Sequence, residues 1–209
     1  MKAVHGSRNE SGGAILAAQV PDPLLRARLS AFLAELSKWN RAYNLTAIRD
    51  PKEIVTRHVL DSLSILPLVH GRVLDVGSGA GFPAVPLALA NPELRVTALD
   101  SNGKKARFLR HVQRTLEIPN LEVVESRVES YRSDKMFDVI TSRAFSALGE
   151  FIALTRHLLA PGGAWIAMKG KIDAQELAGI PDDVEIRENR RLSVPGLSED
   201  RHAIIAVMK

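Results

Sequence analysis

From Arg72 to the end of the chain, short apolar runs alternate with longer stretches whose apolar residues recur every three or four positions. This is the rhythm of a βα-repeating fold. Runs near 72–76, 95–99, 121–125, 137–142, 164–168, 184–191 and 202–208 read as strands, with a helix expected between each of the first six. The last two runs are separated only by Ser193-Val194-Pro195-Gly196-Leu197-Ser198, too short and turn-rich for a helix. They are expected to form an antiparallel hairpin at the sheet edge. Upstream, Asp22-Pro23 offers an N-cap and a first-turn proline, and Leu25, Leu29, Phe32, Leu36 and Trp39 continue at helical spacing to about Tyr43. Asp50-Pro51-Lys52-Glu53, ahead of Ile54, Val55, Val59 and Leu63, marks a second capped helix. The reading divides the chain into a loose N-terminus (1–20), a helical extension (21–70) and a doubly wound, mostly parallel α/β domain (71–209).

Composition narrows what such a fold can do. The 209 residues, 45% of them hydrophobic, suffice for one sizeable α/β domain. The absence of cysteine removes disulfides, thiolate zinc sites and cysteine nucleophiles together. No apolar run reaches the length of a membrane span, and Ala14–Val20 is too short for a signal peptide, so a soluble, cytoplasmic protein is expected. Net charge is only +4, yet Lys104, Lys105, Arg107, Arg110 and Arg114 share a segment without a single acid. That face either tracks phosphates or is the solvated side of a helix whose Phe108, Leu109, Val112 and Leu116 pack on the sheet; the two readings are compatible.

The first strand runs into a glycine turn, Asp75-Val76-Gly77-Ser78-Gly79-Ala80-Gly81-Phe82, and the second ends on Asp100. A dinucleotide G-x-G-x-x-G pattern would put its third glycine where Phe82 stands, so that pattern fails. Asp75, at the strand tip, repels a pyrophosphate and attracts the ammonium group of a methionine moiety. Asp100 lies 23 residues past Gly77, where an acid takes ribose hydroxyls. Together these features favour S-adenosyl-L-methionine over a nicotinamide cofactor, and five parallel strands closed by a hairpin resemble the class I methyltransferase fold.

The acceptor is constrained by what is missing. Methylation of a pyrimidine C5 normally needs a cysteine, and exocyclic amines an Asn or Asp followed by Pro-Pro-aromatic after the fourth strand. Here that place reads Thr141-Ser142-Arg143-Ala144-Phe145. A ring nitrogen such as guanine N7 has a free lone pair and demands no base. Arg143 is then expected to serve a phosphate, the donor carboxylate or guanine O6, the alternative being a sheet-edge arginine in a salt bridge. Asn44 and Thr46 are expected to brace the loop between the first two helices. His58 and Asp61 share a helix face suited to a mutual hydrogen bond, and with no third ligand at a suitable spacing no metal site is expected. Tyr43, Phe82 and Phe145 are candidates to stack a splayed base, or else core residues.

Trp39-Asn40-Arg41-Ala42-Tyr43-Asn44-Leu45-Thr46, Arg57-His58-Val59-Leu60-Asp61-Ser62, Asp75 to Phe82, Ser126-Arg127-Val128-Glu129, Ser142-Arg143-Ala144-Phe145 and Arg201-His202 together resemble the bacterial small-subunit ribosomal RNA guanine-N7 methyltransferases, the RsmG family formerly called GidB. The resemblance covers almost everything after about residue 30. It implies transfer of a methyl group from S-adenosyl-L-methionine to N7 of a guanine in the decoding-region loop of 16S rRNA. The partner implied is that rRNA, the small ribosomal subunit or an assembly intermediate, with no membrane involved and a monomer expected. Family donor contacts carry over onto Gly77, Phe82, Val128, Glu129 and Arg143, while Gly79, Gly81 and Asp100 match the general class I site. Some relatives have Gly-Leu where this chain has Gly81-Phe82, a tolerable change of apolar side chain. Arg127, Lys169 and Arg201 match basic family positions and are expected to recognise RNA phosphate or guanine. A ribose 2′-O-methyltransferase, which also uses a lysine where Lys169 stands, and a non-catalytic RNA-binding factor with a nucleoside pocket are the alternatives.

Overall fold

The computed structural model describes residues 6–143, 147–170 and 179–209, with side chains from Gly12 onward. Its described strands form one sheet ordered β3-β2-β1-β4-β5-β7-β6: β1 (Arg72–Val76), β2 (Arg95–Asp100), β3 (Leu121–Glu125), β4 (Phe137–Ser142), β5 (Leu159–Lys169), β6 (Val184–Arg191) and β7 (His202–Met208). β1 to β5 run parallel; β7 pairs antiparallel with both β5 and β6. The strands fall on the expected apolar runs, β5 extending back to Leu159, and the hairpin closes the sheet as expected. The chain winds outward from β1 to β3, then returns to place β4 on the other side of β1. The carboxyl ends of β1 and β4 therefore flank the crevice where the strand order reverses, the usual ligand position in such sheets. β6 is an outer strand, and its Glu185, Arg187, Arg190 and Arg191 are exposed.

On one face of the sheet lie α2 (Pro23–Tyr43), α5 (Ala84–Ala90) and α6 (Gly103–Thr115); on the other lies α7 (Leu148–Thr155). α2 starts where Asp22 accepts a hydrogen bond from the Leu24 amide at 2.9 Å, and it ends at Asn44 in the left-handed region. Its buried Leu29, Phe32 and Leu36 face the sheet, with the Phe32 ring 5.2 Å from Phe82 and 6.3 Å from Phe108. The opposite core gathers Phe137, Phe151 and Trp165, whose indole N–H finds Thr155 Oγ1 at 2.8 Å. α6 buries Ala106, Phe108, Leu109 and Val112 and leaves Lys104, Arg107 and Arg114 exposed, so its apolar side packs and its basic side is solvated.

The structure departs from the sequence reading in three places. Residues 6–19, expected to be loose, form α1 (Gly6–Gln19), and Leu16 and the following Val20 are buried. Its pattern is weak because a Gly12-Gly13 pair takes the place of apolar residues, yet Gly12 lets the helix approach Pro51 closely: a Cβ there would lie 3.0 Å from the Pro51 carbonyl oxygen. The second capped helix begins as α3 (Pro51–Ile54), widens into a π-helical stretch (Val55–Leu60) and finishes as α4 (Asp61–Leu63). Between β3 and β4 there is no helix. Residues 127–131 form a turn instead, in a stretch too polar to build an apolar face. The helix expected between β5 and β6 falls largely on 171–178, outside the described residues.

One glycine of the β1 turn is required by packing as well as by backbone. Gly81 has φ +97°, and a Cβ there would come within 2.8 Å of both Leu109 and Val85 side chains. Gly81→Ala should lower unfolding free energy by about 2–4 kcal/mol in urea titration, strain and overpacking acting together. Gly162→Ala, also at positive φ but with nothing within 4 Å of its Cβ, is expected to cost only about 1 kcal/mol, from backbone strain alone.

Candidate active site

The β1 turn is held from below by the neighbouring strand. Gly77 and Ser78 amides donate to the Leu99 carbonyl at 2.8 and 3.1 Å, and the Gly79 amide donates to Asp100 Oδ2 at 2.8 Å. Asp100 Oδ1 accepts from the Asn102 amide at 2.8 Å, so each oxygen of Asp100 braces a turn and keeps a further lone pair. A cavity of about 220 Å³ opens beside it, lined by Val76, Gly77, Asp100, Arg127, Val128 and Glu129 among others. Thus the structure brings Gly77, Asp100, Arg127, Val128 and Glu129 from three strand ends onto one hollow.

Asp75 is fully buried one residue before the end of β1. Its Oδ2 accepts a hydrogen bond from the Ala84 amide at 3.2 Å, while Oδ1 has no partner among the described residues. Burial pushes its carboxyl up to about 7, against the pull of nearby hydrogen bonds and of the Arg143 charge. A buried carboxylate oxygen lacking a donor fits the ammonium group of the S-adenosyl-L-methionine expected from the sequence. Phe82 is core: its ring stacks on His58 at 4.7 Å and packs on Phe32, leaving no face for a base. Tyr43 is exposed but leans on Trp39 at 5.3 Å, and Phe145 lies outside the described residues.

A second cluster forms where the π-helical stretch meets the ends of β4 and β7. Asp61, 1% exposed, grips Arg201 through both its oxygens, at 2.7 and 2.8 Å, and takes Arg143 Nη1 at 2.9 Å. Arg143 also donates to the Arg57 carbonyl at 3.2 Å and lies 2.9 Å from His58 Nδ1. A guanidinium has only hydrogens to give, so Nδ1 accepts and Nε2 carries the proton towards Thr46 Oγ1 at 3.1 Å. Burial and the Arg143 charge push His58 down to about 4, leaving it neutral. The expected mutual bond between His58 and Asp61 is therefore replaced by Arg143, inserted between them. Thr46 braces its loop, bonded to Asn40 on both amide sides, and Asn44 accepts from Arg49 at 2.8 Å.

Arg57, His58, Asp61, Arg143, Glu199 and Arg201 line a cavity of about 300 Å³, and Arg57 pairs with Glu199 across it. Lys169, half-buried at the end of β5, lies opposite His202 and directly precedes Gly170 of the cavity wall. Sequence reasoning missed Asp61 as the hub of this cluster and Glu199 altogether. The available signal was an acid set among the apolar residues Val55, Val59 and Leu60, a position that demands a countercharge. No group of His, Asp and Glu among the described residues suits a metal ion.

The sequence profile of the family described as GidB, rRNA small subunit methyltransferase G, matches residues 25–205. The chain is 54% identical over 180 residues to a ribosomal RNA small subunit methyltransferase G of Pseudomonas aeruginosa strain LESB58, covering 85% of this chain and 84% of that protein. It is 47% identical over 208 residues to the protein of that name from Chromobacterium violaceum, covering 99% of each. Among solved structures it is similar in fold to TrmN from Thermus thermophilus, with a TM-score of 0.57, 20% identity, and coverage of 71% of this chain and 48% of that one. The glycopeptide N-methyltransferase MtfA complexed with S-adenosyl-L-methionine superposes with a TM-score of 0.56 at 15% identity, covering 71% and 87%.

Removing the hub leaves two half-buried cations without their shared countercharge. Asp61→Ala should cost about 3–5 kcal/mol of stability, measured by urea unfolding at neutral pH, the usual penalty for stripping one partner from a buried ion pair.

Proposed function

The chain belongs to the rRNA small subunit methyltransferase G family, and on that premise we propose that it transfers a methyl group from S-adenosyl-L-methionine to N7 of a guanine in the decoding-region loop of 16S rRNA. The observation that carries the donor half is Asp75 Oδ1, buried beside the glycine turn without a hydrogen-bond donor among the described residues. The family match carries the acceptor half. S-adenosyl-L-methionine supplies a methyl group on a sulfonium, activated for in-line displacement.

The residues of this chain then have divided tasks. Asp75 takes the ammonium, the Gly77–Gly81 turn admits the amino-acid tail, and Asp100 offers its spare lone pairs to ribose hydroxyls. Val128 and Glu129 border the adenine end of the 220 Å³ hollow. Arg143, Arg201, Arg127 and Lys169 orient the acceptor, with Phe82 holding the cluster from beneath. N7 brings its own lone pair, so no residue has to remove a proton. The neutrality of His58 keeps one positive charge away from a ring that becomes cationic on methylation. We read the protein as a cytoplasmic monomer acting on the small subunit or its precursor. No described helix is long and apolar enough to cross a membrane.

Two measurements test this. Incubated with labelled donor and small subunits from a strain lacking the modification, the protein should label one guanine at N7. Label on a ribose or a pyrimidine overturns the assignment. Donor binding should also be linked to the Asp75 proton. With its pKa raised to about 7, the carboxyl is protonated in acid and must ionise to meet an ammonium, so affinity falls as pH drops below about 7, approaching tenfold per unit. Asp75→Asn should bind more weakly and lose that slope in calorimetry between pH 5.5 and 8, values chosen to bracket the titration at about 7.

A further inference from the structure

Resting on the guanine reading above, we propose that the cavity between the π-helical stretch and the β6–β7 loop takes the target base, and that Glu199 selects guanine by accepting hydrogen bonds from its N1–H and N2 amino edge. Guanine offers O6 as an acceptor next to two donor positions, N1–H and the N2 amino group. A pocket that reads this edge needs cationic donors on one wall and a carboxylate on the other. The 300 Å³ cavity has both, with Arg143 and Arg201 on the sheet side and Glu199 and Asp200 on the loop.

The two acids are not equivalent. Asp200 is turned to Arg191, exposed on β6, whereas Glu199 is paired with Arg57, which itself lines the cavity. That pairing ties the Glu199 carboxylate to the cavity wall, and the Arg57 hydrogen bond holds it ionised, hence an acceptor only. Across from it, Asp61 engages Nε and Nη2 of Arg201, leaving Nη1 with no partner among the described residues. Asp61 is thus a positioning residue that fixes the donors on the O6 side.

The chemistry of the reaction selects this edge. Arginine commonly reads guanine through O6 and N7 together, but that grip covers the atom to be methylated. Holding the opposite edge leaves N7 uncovered. Adenine is mismatched twice, presenting an amino group where O6 should be and a bare N1 that cannot donate to a carboxylate.

The test uses an rRNA fragment, or reconstituted subunits, with the target guanosine replaced by inosine, which keeps O6, N1–H and N7 but lacks the N2 amino group. Wild-type protein should favour guanosine by about tenfold in kcat/KM, the worth of one good edge hydrogen bond. Glu199→Gln should compress that preference to about twofold while donor affinity in calorimetry stays at the wild-type value, and Glu199→Asp should restore part of it. Should Glu199→Gln be inactive on both RNAs, the same compression is read from their equilibrium binding. A guanosine-to-inosine ratio unchanged by Glu199→Gln and Glu199→Ala, or a wild type indifferent to the N2 group, overturns this inference alone. Failure of the wild type to methylate guanosine-containing substrate overturns the proposed function as well.

Discussion

The carboxylate of Asp61 is the point on which the geometry around the crevice depends. Almost wholly out of water, it is tolerable only because two guanidinium groups meet it, and those groups arrive from distant parts of the chain. Arg143 follows β4 and Arg201 precedes β7. One buried acid on a short helical segment thereby draws the N-terminal helices, the middle of the sheet and its C-terminal hairpin to a common centre. The arginines gain fixed directions in exchange for rotamer freedom, which is what recognition of a planar ligand requires.

Two of the buried carboxylates near the crevice, Asp61 and Asp75, have opposite circumstances. Asp61 accepts from two guanidinium groups through both its oxygens. Asp75 has one oxygen with no donor among the described residues, and burial makes it reluctant to ionise. Arg143 stands between them in electrostatic terms, tied to the first and felt by the second. Asp61 holds Arg143 by a direct hydrogen bond, and the Arg143 charge works on Asp75 against the effect of burial. The neutral His58 stacks on Phe82 and accepts from Arg143.

Much of this architecture was legible because local rules and tertiary structure agree. β1, β2 and β4 are largely apolar runs bounded by turn residues, and Asp22 and Asp50 cap helices by the side-chain bonds their sequence contexts suggest. The glycine turn and Asp100 were readable for a similar reason: their spacing is set by one βαβ unit. Where legibility failed, the deciding contacts are remote. α1 is held by Pro51 and the groove between α2 and α3, which no pattern within residues 1–20 announces. Asp61 meets partners 82 and 140 residues away, a pairing that helical spacing does not encode. The π-helical stretch belongs to the same class, since its apolar positions look like those of an ordinary helix.

The outer strand β6 carries a further implication. Its backbone edge, unpaired among the described strands, is a template on which another strand could grow, yet Glu185, Arg187, Arg190 and Arg191 jut from it in mixed sign. A protein of a small-subunit rRNA methyltransferase family presents this rim of mixed charge to its surroundings. Edge-to-edge sticking with the extended tails of unfolded neighbours is thereby discouraged at the margin farthest, in strand order, from β3.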